Sequence, residues 1–187
     1  MKIVWQNVDP FPEGVASGNR EHNRRLGIPK LGSVGPVASR LAVCGGGASI
    51  ESRLDKLRAW DGEIWAINGT WKWLKDRGID ATFYGCDPHP CLAEWCKGAQ
   101  KAVISDIVDP AVCEALAGAV AEMAWLGPGG IPNDCSAAAS APFLAFERGH
   151  RHLTFFGCDG SYENQSNVDR HEDWPAIMVK CGERSYL

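Results

Sequence analysis

The chain has 187 residues, of which 45% are hydrophobic and 22% charged, with a formal net charge of −4. That length suits one α/β domain with a sizeable core rather than two, and the acidic balance speaks against bulk nucleic-acid binding. No apolar run approaches the roughly 20 residues a membrane helix needs, and residues 5–12 (WQNVDPFP) break up any leader-like apolar core near the N-terminus.

Residues 1–39 read as a loop-rich arm with an edge strand over 2–8, its prolines and glycines excluding long elements. Residues 19–26 (NREHNRRL) can make about two helical turns. Arg20, Arg24 and Arg25 there either form a solvated face or reach a phosphate or an acidic partner. From Arg40 onward strands and helices alternate. The run LAVC over Leu41–Cys44 is right for a buried parallel strand. Gly45, Gly46 and Gly47 form a turn behind it, and Ser49 opens an amphipathic helix over 50–60 with Ile50, Leu54 and Leu57 on one face. Glycines permit positive φ and close approach of a phosphate to backbone N–H groups. A helix N-terminus adds partial positive charge and unpaired donors. The stretch is neither GxGxxG nor GxxxxGK[ST], and the second strand ends in Asn68 where a dinucleotide site wants a ribose-binding acid. A nicotinamide dehydrogenase is therefore disfavoured.

The alternation continues with a strand over 63–67, a helix over 71–77 closed by Gly78, and a strand over 81–86. A short helix over 91–97 and a strand over 102–104 follow, then a helix over 110–117 with Asp109 as N-cap and Pro110 at its first position. A strand over 122–126, a helix near 136–148 and a strand over 152–157 complete the series, and the tail 176–186 adds one more strand. About six β-α units with short crossovers imply an α/β fold, a doubly wound, mostly parallel Rossmann-like sheet with helices on both faces. Residues 40–187 then form a single nucleotide-binding domain.

Eight cysteines and eight tryptophans stand out. The regular α/β pattern argues for reduced, buried thiols and a cytoplasmic protein rather than a disulfide scaffold. Cys86, His89, Cys91 and Cys96 cluster without CxxC spacing or a second pair, so no metal site is assigned. The tryptophans fit core and rim packing, and exposed ones could serve a homo-oligomer interface.

Ligands of doubly wound sheets bind beyond the carboxyl ends of the strands. Those ends carry Gly45–Ser49, Asn68-Gly-Thr70, Asp87-Pro-His89, Asn133-Asp-Cys-Ser136 and Asp159-Gly-Ser-Tyr162. Turn and cap chemistry explains Ser49 and Thr70 well. It explains Asp87 and Asp159 less well, because both end apolar strands in matching GCD contexts. A carboxylate there can hold Mg2+, orient a ribose hydroxyl or act as a base. Ser136 could meet an anion, and His171 in the polar stretch 163–173 could be a general acid or base. His150 and His152 flank a helix–strand turn and read as structural.

The order strand-GGGASI, AINGT, YGCDPH, a small-residue helix after NDCS, and FFGCDGSY resembles the domain of MptE-like 6-hydroxymethylpterin diphosphokinases, including phage and prophage members. More distantly it is similar to bacterial CMP-sialic-acid sialyltransferases. The resemblance implies that Gly45, Gly46, Gly47 and Ser49 hold donor phosphates and that Asn68 contacts the nucleotide or the transferred group. It implies that Ser136 meets donor phosphate or sugar, that Asp87, Asp159 and Tyr162 match strand-end motifs, and that His171 takes the catalytic histidine's place. Ala48 stands where the family has proline, and NDCS where G-N/T-S-V/S is commoner. The expectation is a transferase moving a glycosyl or diphosphate group from a nucleotide or nucleotide-sugar donor to an acceptor hydroxyl. Diphosphate transfer would want Mg2+ on Asp87 or Asp159. The alternative is a non-catalytic phage accessory protein that binds a nucleotide.

Overall fold

The structure is a computed structural model, and it describes residues 14–32, 34–126 and 136–159 together with the backbone of Val179–Cys181 and Arg184–Tyr186. A helix α1 (Val15–Asn23) precedes the sheet. The strands β1 (Leu41–Cys44), β2 (Glu63–Ile67), β3 (Thr82–Gly85), β4 (Lys101–Ser105), β5 (Val120–Ala124) and β6 (Leu153–Phe156) form one sheet in the order β5-β4-β3-β2-β1-β6. Every pairing in it is parallel. The helices α2 (Leu54–Arg58), α3 (Thr70–Lys75), α4 (Leu92–Trp95), α5 (Pro110–Ala115) and α6 (Ala137–Glu147) lie between consecutive strands.

The central strands are apolar because both their faces are covered. In β1, Ala42 and Cys44 join the core on the face that also takes Ile50, Leu57, Leu74 and Val112. Leu41 and Val43 point the other way, onto Ala141, Leu144 and Ala145 of α6. Right-handed crossovers explain this division. Four successive steps toward β5 place their helices on one face, and the long return to β6 places α6 on the other. The fold is thus the expected Rossmann-like sheet with helices on both faces. The open edge of β5 is covered by the arm: Leu31 N–H donates to the Met123 carbonyl at 2.8 Å, and Met123 N–H to Pro29 at 2.8 Å. A covered edge cannot template pairing with another chain.

Two elements differ in kind from the sequence reading, and α1 begins four residues before the helix expected over 19–26 and ends three residues before its expected end. In place of one helix over 50–60, a 3-10 helix (Ala48–Arg53) leads into α2. The Ile50 N–H reaches the Gly47 carbonyl at 3.2 Å, three residues back, and this tighter spacing is that of a 3-10 turn. In the tail, β7 (Val179–Cys181) and β8 (Arg184–Tyr186) pair antiparallel as a separate two-stranded sheet instead of one strand. Only Gly182-Glu183 separates them, a length that favours hairpins. The strand expected over 2–8 lies outside the described residues.

Six cysteines are described, and all are free thiols. Burial pushes Cys44 and Cys91 up to about 12. It pushes Cys86, Cys96, Cys113 and Cys158 up to about 11. At pH 8 their thiolate fraction falls roughly two to three orders of magnitude below that of a free cysteine. Iodoacetamide at that pH is therefore expected to leave these six sites unmodified in the folded protein, and to label all of them in guanidinium, as read by peptide mass spectrometry.

Among the described residues no helix is long and apolar enough to cross a membrane. Several tryptophans are covered by the chain's own cations: Arg40 lies over Trp60, Lys75 over Trp71, and Arg77 over Trp73.

Candidate functional site

β1 lies between β2 and β6, so the chain leaves β1 toward one side and comes back on the other. That reversal opens a crevice at the carboxyl ends of β1 and β6, the position where doubly wound sheets take their ligands. The glycine turn follows β1 and Asp159 follows β6, so both border this crevice. They are in contact there. The Asp159 carboxylate accepts the Ser49 backbone N–H at 3.0 Å through Oδ2 and the Ser49 hydroxyl through Oδ1. Both residues are exposed.

The glycines in this contact have steric reasons. A Cβ on Gly47 would lie 2.5 Å from Asp159 Oδ2 and 2.7 Å from the Gly157 carbonyl oxygen. Gly157 itself has φ +62°, and its Cβ would lie 2.3 Å from the Gly45 carbonyl oxygen. Backbone therefore packs on backbone, with Gly45 N–H donating to Phe156 at 2.8 Å and Gly47 N–H to Gly157 at 2.8 Å. The amides of Gly45, Gly47 and Ser49 are consequently engaged within the chain. On Ser49 a carboxylate oxygen occupies the place a phosphate oxygen would take.

Asn68 ends β2, one strand spacing of roughly 5 Å from β1. Its φ is +48°, the one positive value outside glycine among the described residues. Its N–H donates to the Tyr84 carbonyl at 2.8 Å, while its side-chain Oδ1 is buried without a hydrogen-bond partner. After glycine, asparagine is among the residues that most readily take a left-handed backbone, so turn chemistry accounts for the φ and leaves the unpaired Oδ1 unexplained.

The remaining expected residues are more scattered. Asp87, after β3, lies three strand spacings from β6, about 14 Å, so it and Asp159 cannot share a metal ion. Asp87 Oδ1 accepts the His89 N–H at 3.0 Å and His89 Nδ1 accepts the Cys91 N–H at 3.1 Å, a turn that leads into α4. Ser136 caps α6, its Oγ accepting the Ala139 N–H at 3.1 Å. Under that cap Tyr84 and Ser140 hydroxyls meet at 2.9 Å. Burial raises the Tyr84 phenol well above its ordinary value, so the pair is a neutral scaffold rather than an acid or base. Among the described residues no group of three or more histidine, cysteine or acidic side chains is placed to hold a metal ion. Tyr162 and His171 lie outside the described residues.

At the opposite, amino edge, His150 is buried, with Nε2 3.2 Å from Glu63 and Nδ1 3.4 Å from the Ser39 carbonyl. A small cavity of about 60 Å3 beside it is lined by Glu63, Thr82, Lys101 and Arg148 among others. It lies at the strand starts, away from the crevice.

The sequence reading missed Asp106. It follows β4 directly and its side chain is fully buried. Its partners are Arg24, with Nε at 2.8 Å and Nη2 at 2.5 Å, Arg20 Nε at 3.4 Å, and the Leu126 N–H at 3.2 Å. The acidic partner of the arm's arginines is therefore in the chain itself. The available signal was positional: Asp106 ends an apolar strand as Asp87 and Asp159 do, but in a SD rather than a GCD context.

No family model and no curated protein matches the chain. Among solved structures it is similar to a MAf glycosyltransferase from Magnetospirillum magneticum AMB-1, with a TM-score of 0.66 and 16% sequence identity over 93% of this chain. The chain spans 32% of the length of that protein. At this identity the likeness concerns the fold.

Proposed function

We propose that the chain is a glycosyltransferase-type domain that binds a nucleotide or nucleotide-sugar donor over the carboxyl ends of β1, β2 and β6. The observation that carries this reading is the contact of Asp159 with Ser49 across the β1–β6 crevice, beside the strained Asn68. The likeness to part of a MAf glycosyltransferase supports glycosyl over diphosphate transfer, the motif order supports a nucleotide donor, and the MptE-like and phage relations stay with that motif order alone.

In this reading Asp159 is an acceptor for hydroxyl groups. Ser49 fixes the orientation of its two oxygens, and because Asp159 is exposed their remaining lone pairs are available to a ribose or sugar hydroxyl. Asn68, whose left-handed backbone follows β2, is the residue that the resemblance places against the nucleotide or the transferred group. Phosphates would lie along the glycine turn either by displacing Asp159 from Ser49 or beside it. In the second case Mg2+ on Asp159, completed by phosphate oxygens and water, would offset the repulsion between like charges. The acceptor hydroxyl attacks the anomeric carbon, the bond to the leaving phosphate breaks, and the proton passes to a base that the resemblance places on His171.

The test is calorimetry with CMP-, UDP- and GDP-sugars, CTP and ATP, with and without Mg2+. At least one is expected to bind saturably. Asp159→Asn and Asn68→Gly are each expected to weaken it at least tenfold. Asn68→Gly should leave the melting temperature unchanged or slightly raised, because glycine relieves a positive φ costing about 1 kcal/mol. Absence of saturable binding by every compound overturns the donor site. Binding without donor hydrolysis in wild type returns the non-catalytic reading, and hydrolysis unaltered in His171→Ala removes His171 as the base.

A further inference from the structure

We propose that the outward side of α6, the ridge of Ala139, Phe143 and Phe146, docks a second copy of this chain, the two helices packing antiparallel about a two-fold axis. The surface is independent of the donor crevice and of what binds there.

α6 reads AAASAPFLAFE, with no charged side chain before Glu147. A surface helix normally turns a charged or polar face to water, and a helix that is apolar all round is normally buried. Here one side alone is covered. Ser140, Ala141, Leu144 and Ala145 are buried, the last three in one cluster with Leu41 and Val43 of β1. Ala139, Phe143 and Phe146 are exposed, the two phenylalanines by 43% and 57%. The layer is also thin. Among the described residues α6 is the one crossover helix on this side of the sheet, whereas Leu57, Leu74, Leu92 and Val112 of α2 to α5 share the other. Phe155 of β6, in register with Val43 and so facing the α6 side, is 43% exposed as well.

Positions 139, 143 and 146 are spaced i, i+4 and i+7 and form one ridge, the spacing with which a helix anchors against an apolar partner. The ridge is complementary to itself. When Phe143 of two antiparallel helices meet at the two-fold, Ala139 of one comes level with Phe146 of the other, to within about 1.5 Å along the helix. Each large ring then faces a small side chain, which lets the helices approach. The half-buried Glu147 comes level with the first turn of the other α6, whose N-terminus carries partial positive charge. By symmetry this charge match occurs twice. Arg151 lies over the Phe146 ring, 3.9 Å from its centre, so the ring is held in place before a partner arrives and less ordering is left to the association.

The two phenylalanines together leave about one whole aromatic side chain, roughly 200 Å2, open on each copy. Two copies therefore bring about 400 Å2 of aromatic surface together, a good share of the roughly 1,000 Å2 that marks a specific interface. That size suits a weak, reversible dimer with a dissociation constant on the order of tens of micromolar.

Sedimentation equilibrium of the full chain under reducing conditions, from low- to high-micromolar concentration, tests this. Wild type is expected to pass from monomer to dimer as concentration rises. Phe143→Glu and Phe143→Lys are each expected to weaken the dimer at least tenfold. An equimolar mixture of those two variants is expected to dimerise again, because residue 143 of one copy meets residue 143 of the other. Ala139→Glu, at an exposed position of the first turn, is expected to weaken the dimer without changing the melting temperature of the monomer. A wild type that stays monomeric throughout, a dimer that a folded Ala139→Glu leaves intact, or Phe143 variants that stay apart when mixed, overturns the proposal.

Discussion

Gly157→Ala is expected to destabilise the protein by about 4 kcal/mol in urea unfolding, whereas Gly78→Ala costs about 1 kcal/mol. Both glycines have positive φ, +62° and +71°, so both alanines carry the same backbone penalty. The difference is packing. A Cβ on Gly78 meets nothing within 4 Å. On Gly157 it would lie 2.3 Å from the Gly45 carbonyl oxygen and 2.9 Å from Ile50 Cβ, and neither can yield without moving β1 from β6. If the two variants unfold at the same urea concentration, the close approach of the two turns is not as described. The functional consequence follows from the same geometry. Forcing the turns apart breaks the contact between Ser49 and Asp159, so any donor affinity falls with the stability.

Asp106→Ala is expected to cost about 3 kcal/mol and to release α1. Removing one partner of a buried ion pair is costly because the other charge remains. Here the arginines keep 26% and 29% side-chain exposure, which holds the cost at the lower end of the usual range. The Leu126 amide also loses its acceptor. Trypsin should then cleave after Arg20, Arg24 or Arg25 at least tenfold faster than in wild type, measured at a temperature where both are folded. In a double-mutant cycle with Arg24→Ala, strong coupling is expected between the two positions. Additive effects would show that the pair of Asp106 with Arg24 does not hold α1.

These two residues also show where sequence patterns carry structural information and where they stop. β1 and β2 coincide with their expected ranges because apolar runs ended by Gly45 and Asn68 have no other reading. β5 begins at Val120, two residues before its expected start, because an edge strand with Val120 75% exposed lacks a continuous apolar signal. The helix cap by Asp109 was legible for a local reason: its Oδ1 accepts the Ala111 N–H at 2.9 Å, two residues away. Asp106 was not legible, because its partner Arg24 is 82 residues distant and a charged helix has the same pattern whether it faces water or a buried carboxylate.

What the sequence determined alone was the period of each element, the glycine turn after β1, and the gathering of polar residues at strand ends. These depend on residues within a few positions of one another. Only the tertiary structure decided that β6 returns beside β1, which sets Asp159 on Ser49 across 110 residues, and that Asp87 stays apart from both. Strand order follows from crossover handedness and from which apolar faces bury each other, and neither is written in any local stretch of the chain.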